Sequence, residues 1–414
     1  MTETSSADRT SITGEQGAVD IGIIGAGPVG GALACRLAEA GVSVAIIDRA
    51  ALPPMEHPDF DGRAYAIAAG SRAMLEAAGL WDRLPYPAGP IRDIRVSDGK
   101  VGRPASRLHL HFAAQSADAE AFGWMVEARS LRMALNARMH ELPSLSLFAP
   151  AEAQVTRAAA GAEIRIAGGP TLACKLVVAA EGRRSPLREA AGIAVTRLEY
   201  GQTGMVFAIA HERPHHGVAL EHFLPGGPFA QLPMAGNADE PNLSAIVWTE
   251  RTALASYLLE MPAERFAREA ARRLGDHLGA IRLVGRRWSY PLSAMHVHRY
   301  TDTRLAVIGD AAHGVHPIAG QGLNLGFLDV AELSRLIIAA VADGADPGSP
   351  ELLRRYQAAR RPANLAMLAA TDTLDRLFSS DSRVLRAARD LGIAAVDRLP
   401  GLKRLFIRQA MGTA

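Results

Sequence analysis

The apolar pattern opens with a short run, Val19 to Ile24, followed by the glycine-rich segment Gly25-Ala26-Gly27-Pro28-Val29-Gly30. Helix formers follow from Gly31 to Ala40, with Leu33 and Leu37 at helical spacing, and Gly41 is placed to close the helix. A second apolar run, Val42 to Ile47, ends at Asp48. The pattern predicts a β-α-β unit of about thirty residues. Ile94 to Val96 and Leu108 to Phe112 read as strands, the second alternating Leu108, Leu110 and Phe112 with His109 and His111. Ser130 is expected to N-cap a helix whose apolar stripe is Leu131, Leu135, Met139 and Leu142. Short β-rich segments fill 150–180 and 203–250, with a turn at Pro225-Gly226-Gly227-Pro228. A helix is expected over Pro262 to Leu278. Leu305 to Ile308 is a buried-strand run, a helix runs from Gly322 to about Val341, and the chain reads as helical after Ser349. No internal repeat or low-complexity tract interrupts this order.

Composition narrows the class. The chain has 414 residues, 49% hydrophobic and 21% charged, which suits a globular α/β body with more than one region. Its 45 basic and 43 acidic residues leave a net charge of +2, which gives no support for a nucleic-acid binder. Two cysteines, Cys35 and Cys174, exclude a disulfide framework and a thiolate metal cluster. No apolar run reaches the length of about eighteen residues that a membrane-spanning helix needs. Residues 1–18 are polar, lack an apolar signal-peptide core and are expected to be a loose tail; a cytoplasmic setting follows.

Gly25-x-Gly27-x-x-Gly30 lies between a predicted strand and a predicted helix, and Asp48 ends the next strand. Gly25 permits a tight turn, Gly27 lets backbone approach a pyrophosphate, and Gly30 lets the helix pack closely on the sheet. The helix N-terminus offers unpaired N–H groups to phosphates, Pro28 occupies a position where no N–H is required, and Asp48 is placed to accept from ribose hydroxyls. This predicts a dinucleotide site without separating FAD from NAD.

A second motif makes that distinction. Residues 304–326 carry a strand, Gly309-Asp310-Ala-Ala-His313, and His316-Pro317-Ile-Ala-Gly320-Gln321-Gly322-Leu323-Asn324-Leu325-Gly326. Here the sequence resembles the class A FAD-dependent aromatic hydroxylases, of the para-hydroxybenzoate hydroxylase type. The resemblance implies that Asp310 binds the ribityl chain of FAD and that Pro317 and Gly320 to Asn324 pack along the isoalloxazine ring. Glycines at 320 and 322 also allow backbone to approach a flat ring, and a helix N-terminus aimed there stabilises negative charge on reduced flavin. A third motif, Glu181-Gly182-Arg183-Arg184-Ser185-Pro186, resembles the family's Asp-Gly motif near the pyrophosphate, with Glu181 in place of the aspartate.

Asp61 to Ser71, Val126 to Arg132 and His316 to Gly326 look like the ubiquinone-biosynthesis hydroxylases, the subfamily that includes 2-octaprenyl-6-methoxyphenol hydroxylase; Tyr200 to Thr203 and Glu221 to Pro228 fit the same pattern. The likeness covers roughly residues 19–412. It implies that Arg63 and Arg129 approach the FAD. It implies ring hydroxylation of a polyprenylated phenol, with NAD(P)H and O2, through a C4a-hydroperoxyflavin. The expected fold is α/β: a Rossmann-like FAD-binding domain from 19–90, 122–185 and 288–348, an interleaved β-sheet substrate domain from 91–121 and 186–287, and a helical region over 349–414.

The flavin carries the chemistry, so no covalent nucleophile is required and no catalytic side chain or proton-transfer base is named. Pro317, Gly320, Gln321 and Gly322 are expected to form one wall of the chamber, and the β-rich face around 203–234, with Phe223, Leu224 and Phe229, the other. His313 and His316, and His296 and His298, lack a third ligand at suggestive spacing, so no metal site is expected. His211, His215, His216 and His222 are read as turn histidines or substrate-facing groups. The basic, apolar stretch Arg383 to Arg408 fits either a membrane-surface contact on the inner face of the cytoplasmic membrane or a helical cap. Contact with other ubiquinone-biosynthesis proteins is a further expectation. A same-fold hydroxylase of a soluble aromatic compound, an FAD-dependent prenyl reductase and a non-catalytic member of a biosynthetic complex remain open.

Overall fold

A computed structural model of the chain describes residues 16–52, 60–99, 101–102, 109–315, 320–378 and 411–412. In chain order the first half contains β1 (Gln16–Ile24), α1 (Pro28–Glu39), β2 (Val44–Ile47), β3 (Ala64–Ala68), α2 (Ala69–Ala77), β4 (Gly89–Ile91), β5 (Asp93–Asp98), β6 (His109–Ala113), β7 (Gly123–Glu127), α3 (Ala128–Glu141), β8 (Leu145–Phe148), β9 (Ala153–Ala158), β10 (Gly161–Ile166), β11 (Thr171–Ala179) and α4 (Pro186–Ala190). The second half contains β12 (Val195–His211), β13 (Val218–Leu224), β14 (Gly227–Met234), β15 (Leu243–Arg251), α5 (Thr252–Glu260), α6 (Ala263–Leu274), β16 (Ile281–Val297), β17 (Thr301–Asp302), β18 (Leu305–Val307), β19 (His313–Gly314), α7 (Gln321–Ala342) and α8 (Pro350–Phe378).

Strands β18-β11-β1-β2-β8 form the parallel centre of the first sheet. Strands in a parallel sheet are covered on both faces and so read as unbroken apolar runs. Ile21, Ile23, Val44 to Ile46 and Leu176 to Ala179 accordingly have no exposed surface. The hairpin β9–β10 extends this sheet antiparallel from β11. Helix α1 starts on Pro28 and stops before Gly41, whose φ of 82° is open to glycine at no steric cost.

Two sequence expectations are corrected here. Residues 16–18 belong to β1, not to a tail: Gln16, Gly17 and Ala18 pair with Thr171, Leu172 and Ala173. Their polar setting concealed a ladder supplied by a strand far along the chain. Ser130 lies inside α3, which is capped at Glu127, because β7 runs directly into the helix; the Ser130 hydroxyl accepts from Tyr86 N at 3.3 Å instead. The stripe itself is as expected, with Leu131, Leu135, Met139 and Leu142 all buried.

The second sheet has the order β19-β16-β12-β15-β14-β13-β5-β6 and is antiparallel except where β13 meets β5. Residue 288, the expected edge of the substrate region, falls within the 17-residue strand β16. Pro291 in that strand sits beside a register irregularity, where a missing N–H is tolerated. One face of this sheet is closed by α5 and α6: Met205, Phe207, Ile209, Leu224, Phe229, Ile246 and Trp248 pack on Ala255, Leu258, Phe266, Ala270 and Leu274. The other face meets a three-stranded sheet, β3-β7-β4, through Ala210, Ala219, Met234, Ala245, Ile91 and Met125. No helix among the described residues is long and apolar enough to cross a membrane.

Candidate active site

The first loop is built almost entirely from backbone. Gly25 has φ +107°, and its N–H donates to the Ile47 carbonyl at 2.8 Å. A Cβ on Gly30 would collide with the Gly25 carbonyl, which fixes how closely α1 approaches the strand end. A Cβ on Gly27 would meet nothing within 4 Å, so this position opens onto space. The first turn of α1 carries no capping side chain and no acidic residue, which leaves its N–H groups and partial positive charge available to an anion. Asp48, at the end of β2, accepts from Ala26 N at 2.7 Å through Oδ2 and from Ala50 N at 2.8 Å through Oδ1. A carboxylate has about four acceptor positions, so two backbone bonds leave capacity for ribose hydroxyls.

The second loop follows β18. Gly309 has φ +57°, and a Cβ there would lie 3.1 Å from the Val29 side chain; a Cβ on Gly326 would lie 2.6 Å from it. Val29, on the first turn of α1, is thus held between the Gly309-Asp310 loop and α7. The phosphate-type loop near the start of the chain and the ring-type loop near its end meet at this residue. Asp310 is half-exposed and pairs with Arg183 at 3.3 Å. Helix α7 begins on Gly320, at φ +63°, with no capping side chain and no acid in its first turn. A Cβ on Gly322 would meet nothing within 4 Å, while Leu323 packs against the core. Gln321 lies at the same helix start. Asn324 is buried, accepting from Ala68 N at 2.9 Å and donating to Ala66 O at 2.9 Å, which ties α7 to β3. Pro317, with His316, lies outside the described residues.

Arg63 and Arg129 are brought together. Arg63 precedes β3 and Arg129 follows β7 in the first turn of α3; β3 and β7 pair, and Ala128 N donates to Arg63 O at 2.9 Å. Both guanidinium groups are already engaged. Arg63 forms a two-point pair with Asp61 and lies 4.0 Å over the Trp288 ring; Arg129 pairs with Glu127 at 2.5 Å and lies 3.9 Å over Tyr86. Gly182 has φ +81° and no neighbour within 4 Å of a Cβ position. Oε2 of Glu181 accepts from the Ser185 hydroxyl at 2.5 Å and from Leu187 N at 3.3 Å, at the first turn of α4. Burial raises its pKa, against the opposing pull of those bonds.

Behind the second loop lies a buried network that the sequence reading missed. Asp329 of α7 has no exposed surface. Its Oδ2 accepts from His313 Nε2 at 2.6 Å and Gly309 N at 3.0 Å; its Oδ1 accepts from Arg360 Nε at 2.8 Å and Asn364 Nδ2 at 3.0 Å. Burial works to raise the Asp329 pKa, but His313 and Arg360 outweigh it and hold the carboxyl below its usual range. Asn364 Nδ2 also donates to Tyr300 Oη, which lies 3.4 Å from His296 Nε2. The available signal was an acid on an apolar stripe, with Gly326, Val330 and Leu333 on the same side of α7.

The substrate sheet requires a further correction. Leu224 and Phe229 point towards α5 and α6, away from the FAD-type loops, while Phe223 points the opposite way, as alternation along β13 requires. His222 lies on the α6 side, bonded to Ser97 at 2.8 Å. His211 binds the Ser244 hydroxyl and the Arg213 carbonyl, and His215 the Met234 carbonyl. Burial pushes the pKa values of His211 and His215 down.

Residues 18–371 match the family described as FAD binding domain. The chain belongs to that family. It is 51% identical over 395 residues to the ubiquinone hydroxylase UbiL of Rhodospirillum rubrum, covering 95% of this chain and 90% of the relative. It is 32% identical to the 3-demethoxyubiquinol 3-hydroxylase of Escherichia coli, covering 95% and 98%. Among solved structures, p-nitrophenol 4-monooxygenase PnpA of Pseudomonas putida superposes with a TM-score of 0.74 at 19% identity, covering 95% of this chain and 98% of that one, a likeness of fold. These relatives place the chain among the ubiquinone-biosynthesis hydroxylases of the FAD-binding family.

Proposed function

We propose that this protein hydroxylates the aromatic ring of a polyprenylated phenol in ubiquinone biosynthesis, using FAD, NAD(P)H and O2. The observation that carries the reading is the junction at Val29, where the first turn of α1 packs against the Gly309 loop and Gly326 of α7, both helices starting uncapped and without an acid. The residues there suit the cofactor: Gly27, Gly182 and Gly322 each leave the space a Cβ would fill. FAD, when bound, supplies the redox chemistry, drawing on nicotinamide for electrons and on O2 for oxygen.

In this reading the α1 amides beyond Gly27 and Pro28 hold the pyrophosphate, Gly25 and Gly30 fix that loop, and Asp48 accepts from the ribose. Asp310 binds the ribityl chain. Gly320 to Asn324, with Pro317, line the ring, where the α7 start favours negative charge. Glu181 and Gly182 close over the phosphates, Gly182 through its backbone. Arg63 and Arg129 approach the cofactor while held by Asp61 and Glu127. The chain's remaining tasks are to position the phenol and keep water out.

The membrane reading rests on the basic, apolar stretch over 383–408 and on a prenylated substrate; that stretch lies outside the described residues. Co-sedimentation with vesicles containing anionic lipid, lost on removing residues 383–414, tests it.

The test of function is a deletion strain examined by mass spectrometry. An accumulated prenylated quinone precursor lacking one ring hydroxyl, converted by the purified yellow protein with NAD(P)H in air and not anaerobically, is the expected result. Anaerobic turnover that reduces a prenyl double bond contradicts it.

A further inference from the structure

On the face of the substrate sheet that looks towards the FAD-binding body, Glu221 lies within β13 and Asp98 at the end of β5, opposite Phe223. Alternation along β13 sends Leu220, His222 and Leu224 towards α5 and α6, and Ala219, Glu221 and Phe223 to the opposite side. The ladder places Glu221 in a row with Val96 of β5, Ala230 of β14, Val247 of β15, Val206 of β12 and Trp288 of β16. Every other member of that row is apolar, or ends it with an indole. The adjacent row contributes Ile94, Ala219, Leu232, Ala245, Ala208 and Val284, none of them ionisable.

One row of this face is less closed than the next, where Ala208, Ala219 and Ala245 are at 0–4% exposure. Val96, Glu221, Val247, Val206 and Trp288 are all half-buried. Their neighbours on the helix-covered face, such as Phe207, Ile246 and Trp248, are at 0–1% exposure. Glu221 is half-buried, so part of its side chain stays open to a ligand. Its row adjoins the start of α7: Ala66 packs in the same cluster as Ala219, and a Cβ on Gly320 would lie 3.2 Å from the Ala66 Cβ. Trp288, at the other end of the row, donates to Asp61 O at 2.7 Å and lies under Arg63. Four strand spacings separate Glu221 from Trp288, about 19 Å, enough to seat a phenol beside a flavin ring.

Building on the proposed function, we propose that Glu221 is the catalytic base that accepts the proton of the substrate's phenolic hydroxyl. The phenol O–H bond breaks, its electron pair stays on oxygen, and the proton passes to a Glu221 carboxylate oxygen. The ring, now a phenolate, is more nucleophilic at the carbon that receives oxygen. When that carbon loses its own proton to solvent the ring regains aromaticity, and Glu221 returns its proton to the phenolate oxygen. No oxidant beyond the proposed reaction's O2 and NAD(P)H is required.

The environment suits this role. Among the described residues no hydrogen bond or ion pair is made to the Glu221 carboxyl, and the faces of β3, β5, β7, β12, β14 and β15 turned towards it present mostly Ala, Val, Ile, Leu and Met, with Pro228 and Thr249 beyond Phe223 and Asp98 at the end of β5. Burial alone pushes its pKa up to about 7. Against a phenol near 10, that narrows the mismatch from roughly six units to roughly three, and it sets the base near working pH.

The test uses the FAD-loaded full chain, a phenol with a short ring prenyl tail, and the methyl ether of that phenol. The unsubstituted protein is expected to show a kcat limb rising through about pH 7, and difference infrared spectra are expected to show a protonated-carboxyl band titrating with the same midpoint. Glu221→Gln is expected to remove both, lowering kcat on the phenol by about 10²–10⁴-fold with little change in KM, while turnover of the methyl ether is equal in the two proteins. Glu221→Asp is expected to restore the limb at reduced kcat, and it decides the matter if Glu221→Gln does not retain FAD. Unchanged kcat and pH limb in either variant overturn the assignment of Glu221 alone. A wild-type protein that hydroxylates no prenylated phenol overturns the proposed function, and this proposal with it.

Discussion

The two faces of the substrate sheet differ in what they leave undone. The face towards α5 and α6 is close-packed around an aromatic cluster: Phe207, Phe229, Ile246, Trp248 and Phe266 are at 0–1% exposure, and Phe207, Trp248 and Phe266 meet ring to ring, while a cavity of about 710 Å³ opens at its edge beside Leu220, His222 and Gln231. The face towards the FAD-binding body carries one row, Val96, Val206, Val247 and Trp288, that is half-buried, with the Glu221 carboxyl in it unpaired among the described residues. The parallel sheet of the FAD-binding body, by contrast, is closed on both sides. A native interior is close-packed, so an apolar row left half-open beside closed ones marks a place kept for something else.

The largest effect is expected behind the ring-type loop. Asp329→Ala removes the carboxylate between His313, Gly309, Arg360 and Asn364 and leaves a buried guanidinium without its acid. A loss of about 3–5 kcal/mol in urea unfolding is expected, with reduced flavin retention. On the closed face, Phe229→Ala should cost about 3–5 kcal/mol by the same measurement and leave KM for the phenol unchanged in the folded fraction. On the open face, Val247→Ala should reverse the pattern: about 1 kcal/mol or less in stability, with a shifted KM. Equal stability losses at 229 and 247 would dissolve the contrast between the faces.

A smaller effect concerns pH. Burial, with Arg361 and His313 nearby, pushes the His296 pKa down to about 4 from 6.5. The unfolded chain therefore binds the extra proton between pH 6.5 and 4 and the folded one does not, so stability falls as pH drops through that window, by up to roughly 3 kcal/mol. Asp329, whose folded pKa is depressed, acts lower: its contribution is present above the unfolded carboxyl value and is lost as pH falls through the folded one. His296→Gln should flatten the first slope and leave the second in place.

The parallel body was largely legible in the sequence because its signals are local. Glycines at 25, 27 and 30, Asp48, and a helix expected from Gly322 to about Val341 against Gln321–Ala342 observed, all follow from neighbours in the chain. The antiparallel sheet was less legible. Leu224 and Phe229 were assigned to the chamber although they face α5 and α6, because alternation separates two faces without saying which is which when both are apolar. Residues 16–18 and the full length of β16 took their structure from distant partners. Asp329 was passed over because its four partners come from separate segments of the chain.

The central claim is that the loop at Gly25 to Gly30 and the loop at Gly309 and Asp310 hold adjoining parts of one FAD, its pyrophosphate and its ribityl chain. Flavin released per polypeptide tests it most directly, measured by absorbance after denaturing the purified wild-type, Gly30→Val and Asp310→Ala proteins. A ratio near one for the wild type and a colourless or nearly colourless protein for each variant, with the fold of Asp310→Ala intact by circular dichroism, is the predicted result. Full flavin content in Asp310→Ala, or in a folded Gly30→Val, would contradict it.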